Sequence, residues 1–305
     1  MPITVIGDAT LDVTVRPADA PRVGGDVAAQ ISLSPGGQGA NVAVRLARAG
    51  REVRLAAAVA DDAAGRLLTA ALENDGVKLA RLAALRSGVV VALLDDAGER
   101  AMLSDRVSLD LGGLASACAG AEWIHCSVYA LADDVTGDAL AELLGSLASS
   151  SPVSAGGGSL THEPERAGRV RRRLATAGVQ VLIVGREEAS GLLDVPLPSA
   201  AAAADALASA LPGLIVVVTG GVSGSAAAGP GFALSVPAHD PATPMVDATG
   251  AGDAYAAALI DALAGAPWPP DVPALRAAME AGSRHGGLAS RVLGAQARTV
   301  AEGRA

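Results

Sequence analysis

The chain has 305 residues, 50% of them hydrophobic, and carries a formal net charge of −9 from 23 Lys and Arg against 32 Asp and Glu. That length holds one large α/β domain or two small ones, with ample material for a core. The acid excess argues against a general nucleic-acid binder, which needs a basic surface, but leaves room for a local site that takes a phosphorylated ligand. No apolar run reaches the roughly 18 residues that cross a bilayer. The start, MPITVIGDATLDV, reads as a short buried strand running into a polar loop, with no basic region ahead of an apolar segment. A cytoplasmic protein without nucleic-acid or membrane partners is expected.

In chain order, strands are predicted at 3–6, 53–59, 89–94, 123–126, 181–184 and 215–219. Helices are predicted between them at 40–49, 63–74, 134–147, 165–177 and 200–210. In the first helix Val42, Leu46 and Ala49 fall on one face and Arg45 and Arg48 on the other, and Gly50 ends it as a C-cap. Such alternation points to parallel βαβ units, whose crossovers are right-handed and whose ligands gather beyond the carboxyl ends of the strands. Residues 10–35 and 86–107 break the pattern: they are polar and extended, without an intervening helix. They are expected to form a small sheet projecting from the main layer as a lid. The serine- and glycine-rich stretch 149–159 is expected to be irregular, and the terminus RTVAEGRA to be frayed.

Three glycine clusters stand out. PGGQGANVAVRLARAG (35–50) places Gly36, Gly37 and Gly39 before a helix. It is no Walker A loop, because the chain has no Gly-Lys-Ser/Thr, and a poor dinucleotide fingerprint, because GDATLD rather than this loop follows the first strand. Asn41, a short polar residue one turn into an apolar helix, could bond locally or face a ligand. VVVTGGVSGS (216–225) follows an apolar strand and is by itself only a turn signal. VDATGAGDAYAAALIDAL (246–263) puts Gly250, Ala251, Gly252 and Asp253 at the start of an alanine-rich helix. The first N–H groups of a helix lack internal partners and carry the positive end of its dipole, so small residues there let an anion reach the backbone. Asp253 either caps the helix or does chemistry.

PGGQGANVAVRLARAG near the start and VDATGAGDAYAAAL near the end, in this order and separation, closely resemble the two signature motifs of the PfkB-type carbohydrate kinases, the ribokinase-like family. VIGDATLDV is similar to the family's first strand and sugar-contacting acid, VVVTGGVSG to its nucleotide loop and GREEA to its Asn-x-x-Glu region, so the resemblance covers nearly the whole chain. It implies an α/β fold, a ribokinase-like three-layer sandwich with a mostly parallel central sheet and a small β-sheet lid, as one domain over 1–305. It also implies ATP-dependent, magnesium-dependent phosphoryl transfer to a sugar hydroxyl, with Asp253 as general base and the N–H groups of Gly250, Ala251 and Gly252 as an anion hole. By the same resemblance Asp12, Gly37, Gln38 and Asn41 match sugar-binding positions. Thr219, Gly221 and Gly224 match the nucleotide loop, and Ser283 the adenine pocket. Glu188 matches the glutamate that organises magnesium through water, and Asp247 and Thr249 match positions that hold a monovalent cation such as K+ in some members. Lids of this kind often pair between subunits, which implies a homodimer.

Four residues depart from the pattern: Gly185 stands where Asn is usual in Asn-x-x-Glu, Ala155 lies near a customary Asp, Gln38 replaces the Lys of ribokinases proper, and Gly220 replaces a bulky residue. They keep two alternatives open, a nucleoside kinase of the same family and a member that binds sugar or nucleotide with weak or no turnover. Among the remaining residues, Cys118 and Cys126 fit no zinc or disulfide pattern and are expected in the core. His125 is expected to be structural, with Ser127 or Tyr129 near the substrate. His162 and Glu163 lack zinc spacing. Arg100 and Arg106 either reach the substrate from the lid or lie on a solvated strand face, and the run 169–173 (RVRRR) is expected as one exposed helix face.

Overall fold

The computed structural model describes residues 1–21, 23–94, 100–158 and 164–299, Arg100 by its backbone alone. Along the chain it forms β1 (Ile3–Ile6), β2 (Thr10–Pro17), β3 (Ala29–Gly36), α1 (Gln38–Arg48), β4 (Val53–Ala58), α2 (Ala63–Asn74), β5 (Val77–Leu82), β6 (Gly88–Leu94) and β7 (Arg100–Asp105). It continues with α3 (Leu114–Cys118), β8 (Trp123–Ser127), α4 (Val128–Leu131), α5 (Gly137–Leu147), β9 (Val153–Gly156), α6 (Pro164–Thr176), β10 (Val181–Gly185), α7 (Arg186–Leu193) and α8 (Ala200–Ala210). The last elements are β11 (Ile215–Thr219), a 3-10 turn (Gly221–Ser223), β12 (Ser225–Gly229), β13 (Phe232–Val236), α9 (Ala251–Ala264) and α10 (Val272–Ala289).

The strands build a nine-stranded sheet in the order β13-β12-β11-β10-β9-β8-β1-β4-β5. It is parallel from β11 to β5 and antiparallel at the β11-β12-β13 edge. Both faces are covered, as a parallel sheet requires. On one face α1, α2, α9 and α10 bury Leu46, Leu68, Ile260 and Met279. On the other, α3 to α8 bury Leu114, Leu131, Leu140, Leu174, Leu192 and Leu207. This is the three-layer α/β sandwich expected.

A second sheet, in the order β3-β2-β6-β7, is built from the two segments expected to form the lid. It is mixed, because β2 pairs with β6 in parallel while the outer pairs are antiparallel. Register puts Leu33, Val13, Val91 and Leu103 opposite one another, and Ile31, Val15, Leu93 and Ala101 in the next row of the same face. The alternate face carries Asp12 and Thr14 with the buried Val90 and Ala92. One face of the lid is therefore apolar and turned outward: Ile31, Leu33 and Leu103 are 64%, 57% and 58% exposed.

Two expectations need correction. The stretch 149–159 is not irregular throughout: Val153–Gly156 is β9, all four residues buried between β8 and β10. Small residues give it no strand signature, but neighbours on both sides saturate its backbone, and that context outweighs propensity. The arginine run is not one exposed face either. Arg173 is 4% exposed, bonding Asp138 Oδ1 (2.7 Å) and the carbonyls of Leu131 (2.8 Å) and Asp133 (2.9 Å). On α1, Arg45 is buried and Arg48 is clamped on Asp75. Cys118, Cys126 and His125 are core residues: burial pushes the Cys118 thiol up to about 11 and the His125 imidazole down to about 4. His162, Glu163 and the frayed end beyond residue 299 lie outside the described residues.

Candidate active site

The site forms where the carboxyl ends of β1, β10 and β11 meet the N-termini of α1, α7 and α9, beneath the lid. After β1 the chain passes through Asp8 and rises into β2. The turn into α1 then folds back on it: Ala40 N–H donates to the Asp8 carbonyl (3.0 Å) and Gly39 N–H to Asp8 Oδ1 (3.4 Å). Gly37 makes this possible. Its φ is +94°, and a Cβ there would come within 2.5 Å of the Asp8 carbonyl oxygen.

Helix α9 begins after Gly250, which is left-handed at φ +74° and would put any Cβ 2.7 Å from the Ala295 Cα. The Ala251 N–H is turned back onto the Ala248 carbonyl (3.2 Å), so the N–H groups left for an anion at this helix start are those on either side of it. Around Gly252, the place of a Cβ is open space. A small anionic group has an unobstructed approach here.

Asp253 makes no capping bond in this first turn. Its Oδ2 accepts from Asn41 Nδ2 at 2.7 Å, across the gap between α9 and α1. Asn41 thus bonds the acid of another helix rather than its own helix. Half-buried Asp253 has its pKa raised to about 7, first by burial, with the charges of Asp8 and Glu188 adding to the rise and Asn41 and Arg45 opposing it. A carboxylate poised near neutral pH beside a bare helix N-terminus suits a general base.

Asp12 projects from β2 toward the same cleft. Its Oδ1 accepts from Thr10 Oγ1 (2.8 Å), and the carboxylate lies against Gly36, where a Cβ would clash at 2.1 Å. Burial raises its pKa, and Asp8 adds to the rise. Gln38, at the start of α1, is 8% exposed; its Nε2 lies 3.4 Å from His125 Nε2 and its Oε1 has no partner. Arg106 reaches down from the end of the lid to bond Asp8, and its guanidinium stacks 3.9 Å from the Tyr129 ring centroid. Ser127 is used differently: its hydroxyl accepts from Tyr129 N–H (3.2 Å) and caps α4.

On the other side, Thr219 ends β11 beside Gly185 of β10. Gly220 N–H donates to the Gly224 carbonyl (2.7 Å), closing a tight loop that contains Gly221. Glu188 Oε2 accepts from Gly185 N–H at 2.5 Å, so one oxygen closes the first turn of α7; burial raises the pKa of the carboxyl. Among the described residues no cluster of three His, Cys, Asp or Glu could cage a metal. A magnesium ion would find Glu188 with one oxygen already held by the Gly185 N–H. Asp247 is 7% exposed, with Oδ1 accepting from Thr249 N–H (2.9 Å) and Oγ1 (2.6 Å) and Oδ2 from Gly294 N–H (2.9 Å). One oxygen closes the local turn and the other ties it to the segment after α10. Ser283 bonds the Pro237 carbonyl and the His239 N–H, both at 2.9 Å, and so anchors the connection after β13.

Sequence reasoning assigned no site role to Asp8, Arg45 or Gln296. Asp8 directly follows the first strand, a position that could have drawn attention. Nothing local marks Gln296, which arrives from the far end of the chain to bond Asn41 Oδ1 (3.0 Å). Ala155 is fully buried in the apolar core.

A family model described as pfkB family carbohydrate kinase matches residues 2–299. The chain is 31% identical over 320 residues to a fructokinase of Klebsiella pneumoniae, covering 96% of this chain and 94% of that protein. Among solved structures it is similar to ribokinase from Giardia lamblia, with a TM-score of 0.81 at 16% identity over 96% of this chain and 94% of that one. It is also similar to fructokinase from Vibrio cholerae in a fructose, ADP and calcium ion bound form, with a TM-score of 0.78 at 24% identity over 97% and 94% of the two chains.

Proposed function

Because this chain belongs to the pfkB family of carbohydrate kinases, we propose that it transfers the terminal phosphoryl group of ATP to a hydroxyl of a small sugar. The observation that carries this reading is the Asp253 carboxylate, held by Asn41 at 2.7 Å in the first turn of α9. Asp253 takes the proton of the attacking hydroxyl as the sugar oxygen bonds phosphorus and the bond to ADP breaks. General base catalysis of this kind contributes about 10²–10⁴-fold. The N–H groups at the start of α9 stabilise charge on the phosphoryl oxygens, each donor being worth about 10²–10³-fold. Glu188 would help hold, through water, a magnesium ion, which would supply neutralisation of phosphate charge. The loop from Thr219 to Gly224 takes the nucleotide, and Asp12, Gly37 and Gln38 line the sugar side.

Charge favours an uncharged acceptor. Asp8, Asp12, Glu188 and Asp253 surround the cleft, and Arg106 is already neutralised by Asp8. A sugar that already bears a phosphate would meet these acids unpaired. A coupled assay of ADP release over neutral sugars, sugar phosphates, sugar acids and nucleosides tests the reading. Turnover is expected with at least one neutral sugar. A nucleoside as best substrate would move the reading to nucleoside kinase. ATP binding without turnover on any acceptor would support a binding protein, the reading for which Gly185 speaks, since only a backbone N–H meets Glu188 there.

The outward apolar face of the lid supports a homodimer in which two lids cover each other. Two full rows of aliphatic side chains in water are a liability that a second copy removes.

A further inference from the structure

Helix α1 presents Asn41, Arg45 and Arg48 at positions i, i+4 and i+7, and all three meet the segment that follows α10. Arg45 Nη2 donates to the Ala295 carbonyl (2.8 Å) and Arg48 Nη1 to the Gln296 carbonyl (2.7 Å). Gln296 Nε2 donates to Asn41 Oδ1 (3.0 Å), and Asn41 Nδ2 donates to Asp253 Oδ2 (2.7 Å). We propose that Gln296 is a positioning residue for phosphoryl transfer: by occupying the carbonyl oxygen of Asn41, it fixes which end of that amide faces Asp253. The inference rests on the kinase reading above.

The two ends of an Asn amide have nearly the same shape and opposite chemistry. With its N–H₂ toward Asp253, Asn41 stabilises the ionised carboxylate. Turned over, it would aim a carbonyl oxygen at an anion and withdraw the one hydrogen bond that favours the charged base. Shape cannot hold the productive orientation, so a second partner must. Gln296 is that partner, and its own backbone is anchored. Arg48, which grips the Gln296 carbonyl, is fixed by two bonds to Asp75 (2.8 and 2.9 Å), with both side chains below a tenth exposed. Arg298 adds a second cation to Asp75 at 3.3 Å. The C-terminal segment is thus a strap whose buried ion pair ends, three hydrogen bonds later, on the reacting carboxylate. With Oδ2 held by Asn41, Oδ1 of Asp253 is left to receive the sugar proton.

The test uses the full chain with Gln296→Met, which keeps the length and removes the donor, and Gln296→Ala. Both are expected to lower kcat, by up to about 100-fold for a misplaced catalytic group, with KM for ATP little changed and the acid limb of the pH–rate profile moved to higher pH. Combined with Asn41→Ala, neither should lower kcat further than Asn41→Ala alone, because the effect travels through Asn41. A readout independent of turnover is the ¹³C carboxyl titration of Asp253 in labelled protein, its signal identified by its absence from Asp253→Asn. The midpoint should rise in both Gln296 variants. An unmoved midpoint and acid limb, or additive losses with Asn41→Ala, would overturn the relay while leaving the kinase reading in place. A raised midpoint in a protein that phosphorylates no acceptor would sink the kinase reading and leave the contact chain standing.

Discussion

On the proposed reading, Asp253 as general base bears on both activity and stability. Its pKa, raised from 3.8 to about 7, makes the base competent only when ionised, so kcat/KM should fall as the pH drops through about 7. A pH–rate profile flat down to pH 5 would contradict that. The stability sign is the reverse. A carboxyl whose folded-state pKa lies above its unfolded value stabilises the fold fully below the unfolded value and loses that contribution as pH rises toward the folded one. Asp253→Asn, a permanent neutral, should therefore melt above wild type at pH 8 and close to it at pH 4, as read by thermal unfolding. At this scale the sequence was legible where a residue type is unusual for its place. An acid after two glycines at the head of an apolar helix, and Asn41 inside another, both drew attention. Gln296 was not legible, because its role exists only through a contact 255 positions away.

Single elements were read well when they carried a period and badly when they carried only small residues. The spans 3–6, 63–74, 200–210 and 215–219 coincide with β1, α2, α8 and β11. β9 escaped because Ser, Ala and Gly give no alternation, and a central strand buried on both faces needs none. Helix α6 carries a further lesson. Its arginines look like a solvated face in one dimension, yet Arg173 supplies the donors for two carbonyls at the end of α4. Arg173→Met should cost about 1–3 kcal/mol for each carbonyl it leaves unpaired, visible as a lower urea midpoint. A midpoint equal to wild type would show that water satisfies both.

The whole molecule is a cleft between a wide sheet and a two-faced lid, and the lid's strands were visible from the start as extended segments without helices. What the sequence alone did not reveal was that the apolar positions of four strands align in register into one outward face. If that face is where two copies meet, Leu33→Asp with Leu103→Asp should give a folded monomer in sedimentation, whereas a wild type that sediments as a monomer at micromolar concentration would remove the dimer from the account. The cleft itself stands or falls with its base. The most direct measurement is the single-turnover rate of phosphoryl transfer in Asp253→Asn, taken alongside its ATP affinity. A loss of about 10²–10⁴-fold with ATP affinity retained is the expected result; wild-type transfer by Asp253→Asn would contradict it.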